Sequence, residues 1–332
     1  MHILKKSLSI LVLIVYSRSY MTMLRPPKVS IVLPTYNGSK WIKESIESII
    51  NQSYSDWELI IVNDCSTDNT KNIIESYEAK DSRIKIITNN KNLKLPNSLN
   101  VGFSAAQGQY LTWTSDDNIY KPDAIATLTA FLDANPQVDL ISMNSDIIND
   151  KGEIIGDFDS GYIYKRCPEY LIHMNNVGAA FMYRHSIAHK VGRYADDLFC
   201  AEDYDYWCRI ALEGTISYSP ENIYQYRVHS KSLSKTKRKL VLENTNRIRS
   251  KYAPGFFAKY NFSFIDKAKL SAHNSNFHWP PSVAPICLML KLYGLLMEII
   301  TTPIFWNKEL RRHIKNTLKI HNKYSFSRLN QK

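Results

Sequence analysis

Val29-Ser-Ile-Val-Leu33 is a compact apolar run that ends at Pro34-Thr-Tyr-Asn-Gly38, and beyond it Trp41, Ile42, Ile46, Ile49 and Ile50 recur at helical spacing. This change of period repeats downstream. Trp57–Val62 reads as a second buried strand, and Asn63-Asp64-Cys65-Ser66-Thr67-Asp68 supplies N-cap residue types that open a helix. Ile84–Ile87 is a third strand, Asn97–Ala106 a helix and Tyr110–Thr114 a fourth strand. Pro122 suits the first turn of a helix running to Asn135, and Val138–Met143 follows as a fifth strand. From about Ile147 the pattern loosens, with short strands expected at Ala179–Tyr183 and Ile223–Val228 and a helix over Asp203–Glu213.

Strands alternating with helices across short connections predict an α/β fold, an open and mostly parallel sheet flanked by helices. Ligands bind such sheets beyond the carboxyl ends of the strands. The loops at those ends carry Tyr36 and Asn37, Asn63 and Asp64, and Ser115-Asp-Asp-Asn118. Topology alone therefore marks the site.

The composition, 44% hydrophobic and 22% charged over 332 residues, is that of a globular protein large enough for one substantial domain and a tail. Its five cysteines, Cys65, Cys167, Cys200, Cys208 and Cys287, form no C-x-x-C pair. That argues against a zinc site or a disulfide framework and fits a reducing compartment. The net charge of +11 is uneven, since residues 231–332 hold roughly 20 Lys and Arg against about 4 Asp and Glu. An acidic front and a basic rear suggest a catalytic half and a half that meets an anionic partner. No RNP motif, zinc finger or helix-turn-helix spacing accompanies the charge, so an anionic membrane surface is expected and nucleic acid is not.

Two apolar stretches bear on the membrane. Leu8–Tyr16 follows Lys5 and Lys6 but is too short to span and lacks a cleavage site. Val283–Trp306 is long enough, yet Pro285, Lys291, Glu298 and Pro303 interrupt it, which favours an interfacial helix over a span. The expected organisation is a leader over 1–27, a catalytic domain over 28–234 and a basic, helical, membrane-associating tail over 235–332. The expected location is cytoplasmic, peripheral at the inner face of the cell membrane.

Five ordered segments carry a resemblance. They are Val29-Ser-Ile-Val-Leu-Pro-Thr-Tyr-Asn37, Ile60-Ile-Val-Asn-Asp-Cys-Ser-Thr-Asp68, Ser115-Asp-Asp-Asn118, Ala201-Glu-Asp-Tyr-Asp205 and Tyr226-Arg-Val-His-Ser-Lys-Ser-Leu-Ser234. Together they make residues 28–230 resemble the family 2 glycosyltransferases, which have the GT-A fold. The resemblance implies an inverting hexosyltransferase that moves a sugar from a UDP-sugar to a glycan or lipid-linked acceptor in cell-surface polysaccharide synthesis. A non-catalytic nucleotide-sugar or glycan-binding subunit and a sugar nucleotidyltransferase are the alternatives. The first is countered by a complete acid set, Asp64, Asp117 and Asp203. The second normally carries a glycine-rich phosphate loop where this chain has Pro-Thr-Tyr-Asn-Gly.

Roles follow from the chemistry and the resemblance together. A leaving diphosphate needs a hard divalent cation, Mn²⁺ or Mg²⁺, and such cations take carboxylate oxygens. By the family pattern Asp117 holds the metal and Asp116 contacts the ribose, although Ser115 stands where an Asp-x-Asp motif would begin. Tyr36 and Asp64, with Pro34, are expected at the base of the nucleotide, one as a stacking face and one as an acceptor for the uracil imide. Lys94 is expected to offer a cation to the donor. Asp203 matches the catalytic base, which takes the acceptor hydroxyl's proton, and Glu202 orients the acceptor or its loop. His229 is expected beside the diphosphate and metal, with Arg227 and Lys231 contacting the diphosphate. The plain alternative for these acids is a set of solvated turns and helix N-termini. Neither a G-x-G-x-x-G fingerprint nor a Walker loop is present, which weakens the dehydrogenase and kinase readings.

Overall fold

The computed structural model describes residues 26–158 and 168–260. Leu8–Tyr16, Val283–Trp306 and the rest of the expected leader and tail lie outside the described residues. Strands β1 (Val29–Thr35), β2 (Trp57–Asn63), β3 (Ile84–Thr88) and β4 (Tyr110–Trp113) pair in parallel in the order β3-β2-β1-β4. Beyond β4 the sheet becomes mixed. There β8 (Ala180–Arg184) is antiparallel to β4, and β6 (Leu140–Ile148) is antiparallel to β8. Strand β9 (Ile216–Arg227) runs parallel to β6, β5 (Ile119–Tyr120) pairs with β9 at the far edge, and β7 (Ile154–Phe158) forms a hairpin with β6.

Every residue of β1 and β2 is buried. A strand covered on both faces reads as one continuous apolar run, which is why these two were so plain in the sequence. Alternate side chains then divide between two cores. Val32, Ile60, Val62 and Leu111 join Leu99 of α3 (Lys94–Ala105), Trp207 of α6 (Glu202–Glu213) and Phe256 of α8 (Arg238–Lys259). Ile31, Leu33, Leu59 and Ile61 meet α1 (Ile42–Ile50), α2 (Thr70–Glu78) and α4 (Ala124–Ala134) on the other face. Gly102 lets α3 lie close on β1, since a Cβ there would stand 2.4 Å from a Val32 methyl. The remaining helices are α5 (His185–Val191) and α7 (Leu233–Thr236).

The early residues of the expected tail are part of this packing. Asn244, Ile248, Tyr252 and Phe256 recur every fourth position along α8 and are all buried. Among the described residues no helix is long and apolar enough to cross a membrane.

The sheet extends further than the apolar runs suggest. Strand β6 continues through Asn144, Ser145 and Asp146, and β9 starts seven residues before Ile223. Polar side chains inside these strands have partners. Tyr218 Oη donates to Asn144 Oδ1 at 2.7 Å, Asn222 Nδ2 donates to Asp146 Oδ1 at 2.6 Å, and Lys121 pairs with Asp146 at 2.9 Å. A register shift between Met143 and Ser145 absorbs Pro220 and Glu221, so the ladder resumes beyond the proline.

Candidate active site

The chain builds β1, β2 and β3 to one side, then crosses through α3 to β4 on the other side of β1. Loops leaving β1 and β4 therefore diverge, and a crevice forms at their carboxyl ends. Thr35 at the end of β1 spans it, donating from Oγ1 to Asp116 Oδ2 at 2.5 Å. A cavity of roughly 1330 Å³ opens here. Pro34, Tyr36, Asp64, Lys94, Asp116 and Asp117 line it from the first half of the chain, and Glu202, Asp203 and His229 line it from the second.

Asp64 is buried and already well used. Its Oδ1 accepts from Asn89 Nδ2 at 2.8 Å and the Leu93 amide at 2.7 Å, and its Oδ2 accepts from the Lys94 amide at 2.9 Å. The carboxylate thus ties the end of β2 to the start of α3, with one lone pair left on Oδ2. Backbone strain collects around it. Among the described residues the non-glycine positions with positive φ are Asn37 (57°), Cys65 (63°), Lys94 (69°) and Cys200 (71°). Three of these line the cavity and Cys65 follows Asp64, the pattern of a site held in an unfavourable conformation by its surroundings. Tyr36 remains 50% exposed despite its large ring, with the cavity beside it.

Asp116 is pressed from behind by Gly38, where a Cβ would lie 2.1 Å from Oδ2. Burial first, and the neighbouring Asp117 charge second, push the Asp116 carboxyl up to about 7. Asp117 Oδ2 meets His229 Nε2 at 2.9 Å, and the Trp41 ring packs on the imidazole with centroids 4.5 Å apart. Arg227 does not reach toward a phosphate as expected. It is 1% exposed and lies behind the Asp117–Asn118 loop. Its Nε donates to the Asp117 carbonyl at 2.8 Å, its Nη2 pairs with Glu44 at 2.6 Å, and its amide donates to Asn118 Oδ1 at 2.8 Å. The reason is long-range: Glu44 on α1 supplies the countercharge that lets a guanidinium sit inside. Lys231 does line the cavity.

No group of three His, Cys, Asp or Glu side chains among the described residues is disposed to hold a metal ion by itself. Asp117 and His229 nevertheless suit two sites on one cation. An octahedral ion with ligands at about 2.1 Å sets neighbouring ligand atoms about 3 Å apart, and the pair stands at 2.9 Å. Two carboxylates side by side also leave a negative charge that a cation would neutralise.

On the opposite wall α6 opens with Glu202 and Asp203. Asp203 Oδ1 accepts from the Tyr204 amide at 2.7 Å and Oδ2 from Asn175 Nδ2 at 2.8 Å. Glu202 is 3% exposed, and its Oε2 has no hydrogen-bond partner. Burial raises both carboxyls, and the Asp203 charge raises Glu202 further, so Glu202 is the one that holds a proton. A carboxyl raised in this way binds its proton more tightly folded than unfolded. Its stabilising contribution is full below the ordinary glutamate range and is lost as pH rises through the native value. Glu202→Gln is expected to remove that loss. Between about pH 5 and about pH 9, urea unfolding should show wild type losing more stability than the variant. Equal losses would contradict the assignment of the proton.

Thr35, Gly38, Trp41 and Asn175 support these groups and were not marked by the sequence as site residues. Gly38 and Trp41 had a visible signal, the turn after β1 and an aromatic residue at its exit. For Thr35 and Asn175 there was none.

Residues 30–192 match the family described as glycosyl transferase family 2. An uncharacterized glycosyltransferase of Haemophilus influenzae is 35% identical over 222 residues, covering 63% of this chain and 68% of the relative. One from Methanocaldococcus jannaschii is 33% identical over 208 residues, covering 61% and 71%. Among solved structures, S. aureus TarS 1-349 in complex with UDP-GlcNAc superposes with a TM-score of 0.56 at 18% identity, over 81% of this chain and 79% of that one. A mannosyltransferase of Pyrobaculum calidifontis in complex with GDP-Man and Mn²⁺ superposes at 0.51 with 16% identity, over 92% and 83%. At these identities the two structures speak for the fold.

Proposed function

The chain belongs to glycosyl transferase family 2, and from that premise we propose that it is an inverting hexosyltransferase using a UDP-sugar donor. The observation that carries this reading is a single cavity lined by both the Asp117–His229 pair and Asp203. Those are the two demands of the reaction, neutralising a leaving diphosphate and deprotonating an incoming hydroxyl. Neither a binding subunit nor a nucleotidyltransferase needs both.

Tyr36 stacks on uracil, and the free lone pair of Asp64 Oδ2 accepts from its imide N–H. Pro34 shapes this end of the pocket, Asp116 accepts from a ribose hydroxyl, and Lys94 lies along the phosphates. Asp117 and His229 would hold Mn²⁺ or Mg²⁺. Such an ion, when bound, would supply charge neutralisation at the leaving diphosphate. On the far side the acceptor O–H hydrogen-bonds to Asp203. Its oxygen attacks the anomeric carbon opposite the leaving group, forming the glycosidic C–O bond. The C–O bond to the diphosphate breaks with its electron pair going to UDP, and the proton passes to Asp203. Glu202, neutral and buried, keeps a second negative charge away from the base and faces the acceptor.

An attack opposite the leaving group inverts the anomeric configuration. A panel of α-linked UDP-sugars, followed by NMR of the product's anomeric proton, is expected to yield a β-linkage. An α-linked product would overturn the single-displacement mechanism. The acceptor in this reading is a glycan, lipid-linked during surface polysaccharide synthesis, and the enzyme is cytoplasmic, peripheral at the inner face of the cell membrane. The basic tail supports that location. Co-sedimentation with anionic vesicles should fall as salt is raised, and no co-sedimentation at low salt would count against it.

A further inference from the structure

Asp203 is held at two points. The first, the Tyr204 amide, is the ordinary consequence of a carboxylate in the first turn of a helix. The second comes from outside the helix, from Asn175 Nδ2 at 2.8 Å. Because an ionised carboxylate only accepts, the N–H side of the amide is the side that faces it. The amide oxygen then points away, and Asn175 Oδ1 is buried without a hydrogen-bond partner. A side chain kept only to tie down its loop would have both ends used. Here one end is left unmet so that the other can reach the carboxylate.

The loop that carries Asn175 is itself fastened to both helices of this wall. Tyr204, next to Asp203 on α6, donates its hydroxyl to the Leu171 carbonyl at 2.8 Å. Arg249 on α8 donates to the His173 carbonyl. The distance from Asn175 to Asp203 is therefore fixed by tertiary contacts on either side of the asparagine.

We infer that Asn175 is a positioning residue for Asp203, anchoring Oδ2 through its amide so that the carboxylate faces the cavity as an ionised proton acceptor. This rests on the reading of Asp203 as the base. One anchor leaves a carboxylate free to rotate, whereas donors on separate oxygens set its plane. The Asn175 side chain and the Tyr204 and Asp203 amides all favour the charged form, against the burial that opposes it. The other groups that act on Asp203 or its immediate surroundings are Glu202 on α6, Cys200 before it, Cys208 and Arg209 within it, Tyr194, Tyr226 on β9, Lys237 beside Cys200, and Arg249 on α8, which lines the same cavity. Lys237, Arg209 and Arg249 are the cations among these, and the Asn175 amide is the side-chain donor at hydrogen-bond distance of Oδ2.

The test is a direct titration of the Asp203 carboxyl by ¹³C NMR of aspartate-labelled full-length protein, with the signal assigned by its absence in Asp203→Asn. Asn175→Asp keeps the shape and replaces the donor by a like charge. Asn175→Ala removes the donor alone and serves as the second variant if the first unfolds. Both are expected to raise the Asp203 midpoint by about one pH unit or more, a tenfold or greater change in proton affinity. Melting curves recorded alongside report any loss of fold. A midpoint that stays within about 0.3 units of wild type in a folded variant overturns the inference, whatever happens to the melting temperature. Failure of the underlying reading is seen elsewhere. If Asp203→Asn turns over a UDP-sugar at the wild-type rate, Asp203 is not the base, and that result is independent of the titration.

Discussion

Asp203→Asn is expected to lower kcat by about a thousandfold while leaving UDP affinity within about twofold of wild type. The substitution keeps the size and hydrogen-bonding shape of the side chain. The amide no longer accepts a proton from an attacking hydroxyl, so the loss falls on the transition state rather than on donor binding. Separate hydrogen-bond partners support the split. Asp203 takes its hydrogen bonds from Tyr204 and Asn175, both on its own wall, and none from the Asp117–His229 pair. Steady-state kinetics with saturating donor and calorimetric UDP binding on the same variant check it. A variant that kept near-wild-type turnover would remove Asp203 from the mechanism, and one that lost UDP binding in parallel would mean the two walls are not independent.

Asp117→Ala is expected to abolish the Mn²⁺-dependent part of UDP binding and to reduce kcat/KM by about a thousandfold or more, since several kcal/mol of charge stabilisation are lost at once. His229 would remain, with its ring packed on Trp41 but without the carboxylate it meets at 2.9 Å. His229→Ala should act in the same direction with a smaller effect, because a carboxylate is the harder ligand for either ion. Measured as turnover against Mn²⁺ concentration, wild type should saturate and Asp117→Ala should stay flat. A variant with the wild-type metal dependence would place the ion elsewhere.

Why some of this was legible in sequence and some was not has a physical explanation. Strands β1 and β2 are covered on both faces, so their interiors are apolar except where Ser30 and Glu58 satisfy each other, and their ends are marked by Pro34 and Asn63. Topology then puts functional groups in the loops that follow, which is how Asp64, Asp116 and Asp117 could be named in advance and how they come to line one cavity. Strand β7 carries no such signal, since Ile154 and Ile155 are both exposed on a hairpin edge and no alternation reaches the core. Arg227 misled for the opposite reason. In its local context, Tyr226-Arg-Val-His229, a cation beside a histidine reads as a phosphate contact. The partner that buries it, Glu44, is 183 positions away in the chain. Asn175 is equally silent, because its meaning lies wholly in the carboxylate it meets from α6.

The sheet itself shows the same division. A parallel arrangement was expected from strand-helix alternation and holds across β3-β2-β1-β4, where helices make the crossovers. Past β4 the β4–β5 and β6–β7 connections carry no helix, while α4 and then α5 and α6 still link other strands, and pairing turns antiparallel at β8. Polar residues inside β6 hid its length, because their satisfaction depends on side chains contributed by β9 and by Lys121.

The central claim is that this cavity binds the nucleotide of a UDP-sugar through a divalent cation held at Asp117. Calorimetric titration of UDP into the wild-type protein, with and without Mn²⁺, tests it most directly. Saturable binding, strengthened by at least about tenfold when Mn²⁺ is present, is the expected result. Absence of UDP binding under both conditions would contradict it.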